Sequence, residues 1–226
     1  MPLPNRIGRL RPPVLCLVVS KATAPDGDVE KLVTEAVAGG VDMVQLRDHE
    51  LPAGELLEMA RTLKRVTRGK ALIVINDRID VAQAVEADGI QVPEAGLPTR
   101  VAAKLIGRYS VVGRSVHDAE SALRAHQEGA DFVVAGTIYK TASKPDAKPV
   151  GPGIIAEITK DSSLPVLAIG GITADKVAEV IQAGAAGVAV ISAITKATDP
   201  KAAAQALNDA LKEAWAARAT ATAASA

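Results

Sequence analysis

The sequence lacks a net charge, a second cysteine and any long apolar run. It has 26 Lys and Arg against 26 Asp and Glu, which gives no electrostatic reason to expect nucleic acid or a membrane as partner. A lone thiol forms no internal disulfide, so Cys16 fits a reducing compartment, and we interpret it as a small buried strand residue. No run approaches the about 18 apolar residues of a membrane span. The first residues also lack the apolar core of a signal peptide, so we expect a soluble cytoplasmic protein.

What the sequence does contain is a regular alternation of short apolar runs and amphipathic segments. The runs are rich in Val and Ile and of strand length, which is typical of strands buried on both faces of a parallel sheet; they begin near Val14, Val41, Ala71, Asp88, Ser110, Asp131, Pro165 and Gly187. Apolar residues at helical spacing separate them, as in the segment 29–37 before Gly39 and Gly40.

Eight strand–helix units predict an α/β fold, a single-domain (β/α)8 TIM barrel over residues 13–217. Residues 1–12 are then an N-terminal extension and residues 218–226 a C-terminal tail. An open, doubly wound sheet is the alternative, although that fold usually uses fewer strands.

Polar residues stand where several of the apolar runs end. In a TIM barrel these carboxyl ends of the strands form one mouth, which holds the active site. We therefore expect residues from distant parts of the chain to converge there: Gln45, Arg47, Asn76, Asp77, Gln91, Ser115, His117, Thr137 and Ser192.

The stretch VLAIGGITADKV, residues 166–177, ends a predicted strand in two glycines. Backbone N–H groups after the seventh and eighth barrel strands commonly bind phosphate. A Cβ at Gly170 or Gly171 would block a close approach of such a ligand, and Ile191 and Ser192 would supply the second loop. The alternative is a tight turn with no ligand.

Several stretches together resemble the thiamine phosphate synthase and TenI superfamily. They run from Val44 to Ile194 and include VQLRDHE, VINDRIDVAQAVEADGIQV, TASKP and AIGGITADK. The resemblance implies a TIM barrel that binds a thiazole phosphate. Synthases of this superfamily join a pyrimidine methyl pyrophosphate to the thiazole phosphate with magnesium, releasing pyrophosphate. TenI-type tautomerases move a proton on a thiazole phosphate carboxylate and need no magnesium.

The same resemblance implies roles for individual residues. Gly170, Gly171, Ile191 and Ser192 match the thiazole phosphate site. Asp77 matches one magnesium carboxylate. Residues expected to contact the rest of the substrates are Gln45, Arg47, Asn76, Gln91, Ser115, Thr137, Thr141, Ser143 and Lys144, of which Ser115 and Lys144 are expected to take part in catalysis.

The sequence departs from the synthase pattern after the fourth apolar run, at Gln91, Pro93, Glu94 and Gly96, and at His49 in VQLRDHE. Gly96 stands where the second magnesium aspartate is expected, and His49 replaces a lysine. Gln91 and the stretch GRSVH resemble the TenI branch, but the histidine of the characterised tautomerase is Thr137 here. A tautomerase would then use His117 or His49 as its acid–base group, since histidine is the side chain most often used for proton transfer near pH 7. Alternatively, His117 caps the following helix and His49 is an ordinary loop residue.

We therefore expect a TenI-like thiazole tautomerase that requires no cofactor. The alternatives are a thiamine phosphate synthase that uses Mg²⁺, and a non-catalytic regulatory barrel that binds a phosphate ligand. The expected partners are a phosphorylated thiazole and, for a synthase, a pyrimidine pyrophosphate. Superfamily members commonly form homo-oligomers, and the sequence fixes no subunit count.

Overall fold

Eight parallel strands pair in chain order, and β1 pairs with both β2 and β8, so the sheet closes on itself. The computed structural model describes residues 10–224. The strands are β1 Val14–Val19, β2 Met43–Leu46, β3 Leu72–Asn76, β4 Gly89–Val92, β5 Val111–Val116, β6 Phe132–Ala135, β7 Val166–Ile169 and β8 Gly187–Val190. Each begins within two residues of a predicted run, so the barrel prediction is confirmed and the open sheet is wrong.

Helices connect the strands and cover the outside of the barrel. They are α1 Val29–Ala38, α2 Ala53–Thr67, α3 Ile79–Ala84, α4 Thr99–Ile106, α5 Ala119–Gln127, α6 Gly153–Asp161, α7 Val177–Gln182, α8 Ser192–Thr195 and α9 Pro200–Ala224. The short helix α8 was not predicted, and a 3-10 turn at Ala174–Lys176 precedes α7. Among the described residues, no helix has the length and apolarity to cross a membrane.

The last helix extends beyond the boundary that the sequence placed at residue 217. Arg218 donates hydrogen bonds to the carbonyl oxygens of Ile181 and Ala185 at 2.9 Å, and its guanidinium lies 4.2 Å from the centroid of the Trp215 ring. Residues 218–224 therefore continue α9, which packs on α7. Residues 1–9 of the expected extension and 225–226 of the expected tail lie outside the described residues.

The strands bury both of their faces, as their composition predicted. One set of alternate residues fills the barrel interior and includes Cys16, Met43, Val74 and Phe132. The other set packs under the helices. Cys16 is fully buried, which confirms its interpretation as a core residue.

Three aspartates close the amino-terminal end of the barrel in a repeated way. Asp42, Asp88 and Asp131 directly precede β2, β4 and β6. Their carboxylates accept hydrogen bonds from the backbone N–H groups of Leu15, Ile73 and Val112 at 2.8–3.0 Å, each in the preceding strand. Hydrogen bonds to charged groups contribute about 1.5–3 kcal/mol each, so this end of the barrel stabilises the fold and leaves the mouth free for chemistry.

Candidate active site

The mouth of the barrel is polar on one side and apolar on the other. Gln45, Asn76 and Ser115 lie on the same strand faces as the interior residues Met43, Val74 and Val111, because side chains alternate along a strand. The other side of the mouth is lined by Val18, Val134, Ile169 and Ile191. β2 to β5 thus supply the hydrogen-bonding side chains that the sequence predicted for this end.

The amide of Gln91 is the most deeply buried polar group of this set. It is 1% exposed, and its Nε2 donates to Ser115 Oγ at 3.1 Å. Its Oε1 has no hydrogen-bond partner among the described residues. A Cβ on Gly113 would lie 2.1 Å from that oxygen, so the glycine makes room for the amide. An unpaired buried acceptor costs about 1–3 kcal/mol, which makes Gln91 a candidate for hydrogen bonding to a ligand.

The loops after β7 and β8 form a corner lined by free backbone donors. These strands are neighbours in the sheet, so both loops lie on the same side of the mouth. Within residues 10–224, the N–H groups of Gly171, Ile172, Ser192 and Ala193 have no intramolecular hydrogen bond. We call these four residues the phosphate corner, because several neighbouring N–H donors without internal partners suit a phosphate oxygen.

The two glycines of this turn leave room for the loop after β6. Gly170 and Gly171 have φ of +107° and +64°, a region that side chains disfavour. A Cβ on Gly170 would lie 2.6 Å from Thr137 Cγ2, and one on Gly171 would lie 2.5 Å from the carbonyl oxygen of Lys140. A Cβ at either glycine would therefore meet the loop after β6, a contact that the sequence did not predict.

That loop, residues 140–149, is tied at its base to the diglycine turn. The N–H of Tyr139 donates to the Gly170 carbonyl at 2.9 Å, and the N–H of Val150 donates to the Thr137 carbonyl at 2.9 Å. Thr137 is 8% exposed and serves this base. Lys144 is exposed on the loop, and Ser143 donates its N–H to Thr141 Oγ1 at 3.4 Å. The structure therefore brings the predicted lysine loop to the edge of the phosphate corner.

His117 is held between a backbone carbonyl and a carboxylate. Its Nδ1 forms a short hydrogen bond with the Gly136 carbonyl, and its Nε2 lies 3.3 Å from Glu94 Oε2. Because a carbonyl oxygen only accepts, Nδ1 donates to Gly136, while Nε2 faces the Glu94 carboxylate. The cap of α5 is Asp118, whose carboxylate accepts the N–H of Ser121 at 2.6 Å. The helix-cap interpretation of His117 is therefore wrong.

Arg114 fixes the loop that carries Glu94. Its guanidinium donates to the carbonyl oxygens of Leu97 at 2.7 Å and Glu94 at 2.8 Å. Sequence reasoning placed Arg114 among the polar residues where the fifth run ends and Glu94 near the expected metal position, but it did not predict these contacts. Their partners lie far away along the chain or are backbone atoms, and neither kind of contact leaves a local motif.

Asp77 lies beside Gly96, the position at which the family resemblance implies a second metal carboxylate. Asp77 is exposed with φ of +62°, and a Cβ on Gly96 would lie 3.1 Å from its Oδ1. The described residues contain no group of three or more His, Cys, Asp or Glu side chains that could hold a metal ion. Mg²⁺ is usually held by one or two carboxylates plus substrate phosphates, so Asp77 fits that ion only together with phosphate oxygens.

The loop after β2 places Arg47 and His49 in solvent. The N–H of Arg47 donates to the Val19 carbonyl at 2.9 Å, and Asp48 organises the turn by accepting the N–H groups of Lys21 and Glu50. His49 makes no hydrogen bond or ion pair with the part of the chain that the structure describes. Of the two histidines proposed as the acid–base group, only His117 has its ring nitrogens oriented.

Comparisons with known proteins agree with this geometry. A sequence model of the thiamine monophosphate synthase family matches residues 15–194. A thiamine-phosphate synthase from Shouchella clausii is 41% identical over 207 residues, covering 91% of this chain and 99% of that protein. The thiamine biosynthesis bifunctional protein ThiM/ThiE from Symbiobacterium thermophilum is 43% identical over 221 residues, 94% of this chain, and the chain spans only 44% of that longer protein. The solved structure of a thiamine phosphate pyrophosphorylase from Pyrococcus furiosus has a TM-score of 0.83 and 36% identity, covering 93% of this chain and 99% of that one.

Proposed function

The chain belongs to the thiamine monophosphate synthase family, and we propose that it is a thiamine-phosphate synthase. It would join a pyrimidine methyl pyrophosphate to a thiazole phosphate and release pyrophosphate. The observation that carries this proposal is the two-sided mouth, in which the phosphate corner, with the lysine loop at its edge, faces a set of buried amides across one opening.

The phosphate corner suits the phosphate of the thiazole. Gly171, Ile172, Ser192 and Ala193 offer four N–H groups that have no internal partner among the described residues. The apolar side of the mouth, with Ile169 and Ile191, adjoins the corner and suits an aromatic ring.

The polar side of the mouth suits the pyrimidine and its leaving group. Gln45, Asn76 and Gln91 are 4%, 7% and 1% exposed, so hydrogen bonds that they make to a heterocycle are shielded from water. Arg47 and Lys144 are exposed at the rim and provide the cations that a pyrophosphate requires.

In the proposed reaction the bond between the pyrimidine methylene carbon and the pyrophosphate oxygen breaks, and its electron pair leaves with pyrophosphate. The thiazole nitrogen then forms a bond to that methylene carbon. Mg²⁺, when bound at Asp77 with the pyrophosphate, would neutralise charge that develops on the leaving group. The residues of this chain orient the two rings and exclude water between them.

The tautomerase that the sequence favoured has weaker support than the synthase. The relatives reported above that match most of their own length are named thiamine-phosphate synthase and thiamine phosphate pyrophosphorylase. Thr137 occupies the position of the tautomerase histidine and is buried at the base of a loop. A non-catalytic barrel has no specific observation in its favour.

A coupling assay with both substrates and Mg²⁺ tests the proposal. We expect the purified protein to form thiamine phosphate and pyrophosphate, and Asp77→Ala to lower that turnover by at least about tenfold. Asp80→Ala is the matched control, because Asp80 is an exposed carboxylate three residues away that pairs with Arg78. Absence of thiamine phosphate together with isomerisation of the thiazole phosphate carboxylate would replace the synthase by the tautomerase.

A further inference from the structure

A lysine lies behind the diglycine turn of the phosphate corner. Lys176 ends the 3-10 turn after β7 and is half-buried. Its Nζ donates to the carbonyl oxygen of Gly171 at 3.1 Å and lies 4.9 Å from the centroid of the Tyr139 ring. The ammonium group is thus held by one hydrogen bond and one aromatic face.

This hydrogen bond fixes the orientation of one peptide plane. In a trans peptide the carbonyl and the following N–H point in opposite directions. The carbonyl of Gly171 is directed to Lys176, so the N–H of Ile172 is directed away from it, and that N–H has no intramolecular partner in the described part of the chain. The same hydrogen bond pairs the Gly171 carbonyl oxygen, which would repel a phosphate if it turned towards the ligand.

The surroundings of Lys176 are acidic. Asp175 precedes it, and Glu179 accepts a short hydrogen bond from the hydroxyl of Tyr139. Burial, together with Glu179, raises the pKa of Tyr139 above its usual value, so the phenol stays neutral and braces the cluster. Without Lys176, Asp175 and Glu179 would lose a neighbouring cation behind the diglycine turn.

We propose that Lys176 is a positioning residue of the phosphate corner, which makes the site select the phosphorylated thiazole over the same thiazole without its phosphate. The choice of ligand rests on the proposed function. Lys176 acts through the Gly171 carbonyl and through its charge, and the Tyr139 ring and Glu179 keep it in place.

The test compares Lys176→Met, Lys176→Arg and Lys160→Met. Met keeps the apolar stem and removes the charge, whereas Arg keeps a donor for the Gly171 carbonyl. Lys160 is the control, since it is exposed in the last turn of α6 at the opposite end of the barrel. For each variant, steady-state kinetics give KM for both substrates, and calorimetry gives Kd for thiazole phosphate, the unphosphorylated thiazole and inorganic phosphate.

We expect Lys176→Met to raise KM and Kd for thiazole phosphate by about tenfold, because the variant loses a charged hydrogen bond to the Gly171 carbonyl and one cation near the phosphate. Its Kd for the unphosphorylated thiazole, its KM for the pyrimidine and its kcat should stay within about twofold, whereas a misfolded site would change them all. Lys176→Arg and Lys160→Met should behave as the wild type.

The outcomes separate the inference from the proposed function. Synthase turnover with an unchanged KM for thiazole phosphate in Lys176→Met overturns the role of Lys176 and leaves the synthase. No turnover, but a tenfold weaker Kd in the variant, supports Lys176 and overturns the synthase. A wild-type protein that binds neither thiazole phosphate nor inorganic phosphate overturns both.

Discussion

Replacing Gly171 by alanine measures how closely the loop after β6 approaches the phosphate corner. The added Cβ would lie 2.5 Å from the carbonyl oxygen of Lys140 and 3.0 Å from Tyr139 Cβ. Gly151 has a similar backbone conformation, φ of +75° against +64°, but a Cβ there meets no atom within 4 Å. The pair of variants therefore separates the cost of the backbone conformation from the cost of the close contact.

The expected magnitudes follow from these distances. A non-glycine residue at positive φ costs about 1–2 kcal/mol, and both variants carry this cost. Only Gly171→Ala adds an overpacked contact with backbone, which costs about 1–3 kcal/mol. A domain of this size loses about 2–4 °C in Tm per kcal/mol, so we expect losses of about 4 °C for Gly151→Ala and about 10 °C for Gly171→Ala.

Thermal unfolding followed by circular dichroism measures both losses, and calorimetry with thiazole phosphate reports on the site. Gly171→Ala should also weaken the binding of thiazole phosphate, because either the diglycine turn or the loop after β6 must move to relieve the contact between the new Cβ and the Lys140 carbonyl oxygen. Equal Tm losses in the two variants would refute the reasoning, since they would show that the loop yields at no cost. An unchanged Kd for thiazole phosphate in Gly171→Ala would show that the conformation of the diglycine turn does not affect phosphate binding.

Three further predictions concern the metal position, the loop after β4 and the core. The variant Gly96→Asp places a second carboxylate next to Asp77. Calorimetry without pyrophosphate should show that it binds Mn²⁺ about tenfold more tightly than the wild type. An unchanged affinity would contradict the proposed metal position. Arg114→Met should lower the free energy of unfolding in urea by about 1.5–3 kcal/mol, because two charged hydrogen bonds to the carbonyl oxygens of Leu97 and Glu94 disappear. Arg114→Lys should lose less. Equal stability of both variants and the wild type would contradict a stabilising role of these two hydrogen bonds. Burial raises the pKa of Cys16 from 9.0 to about 12, so its contribution to stability is complete below pH 9.0 and is lost as the pH rises towards 12. Urea unfolding at pH 8 to 11 should therefore show a decline that is shallower in Cys16→Ala by up to about 1.4 kcal/mol per pH unit; identical slopes would contradict this.

Sequence reasoning predicted those features that depend on residues close together in the chain. The eight apolar runs gave the strands, because a strand buried on both faces needs an unbroken apolar sequence. The strand ends gave the composition of the mouth, since alternation along each strand places Gln45 and Asn76 on the inner face. The glycine doublet after the seventh run predicted the phosphate loops, and the family resemblance implies the same residues.

The sequence by itself therefore determined the barrel, the polar side chains at its mouth and the loop position of TASKP, because local periodicity and strand order encode all three. Only the tertiary structure decided the contacts between loops: Arg114 on the loop of Glu94, Lys176 on the carbonyl of Gly171, and the β6 loop against the diglycine turn. These contacts use backbone atoms, or side chains from different strand–helix units. Backbone atoms are the same in every residue, so a sequence pattern does not reveal which of them will meet when the barrel closes.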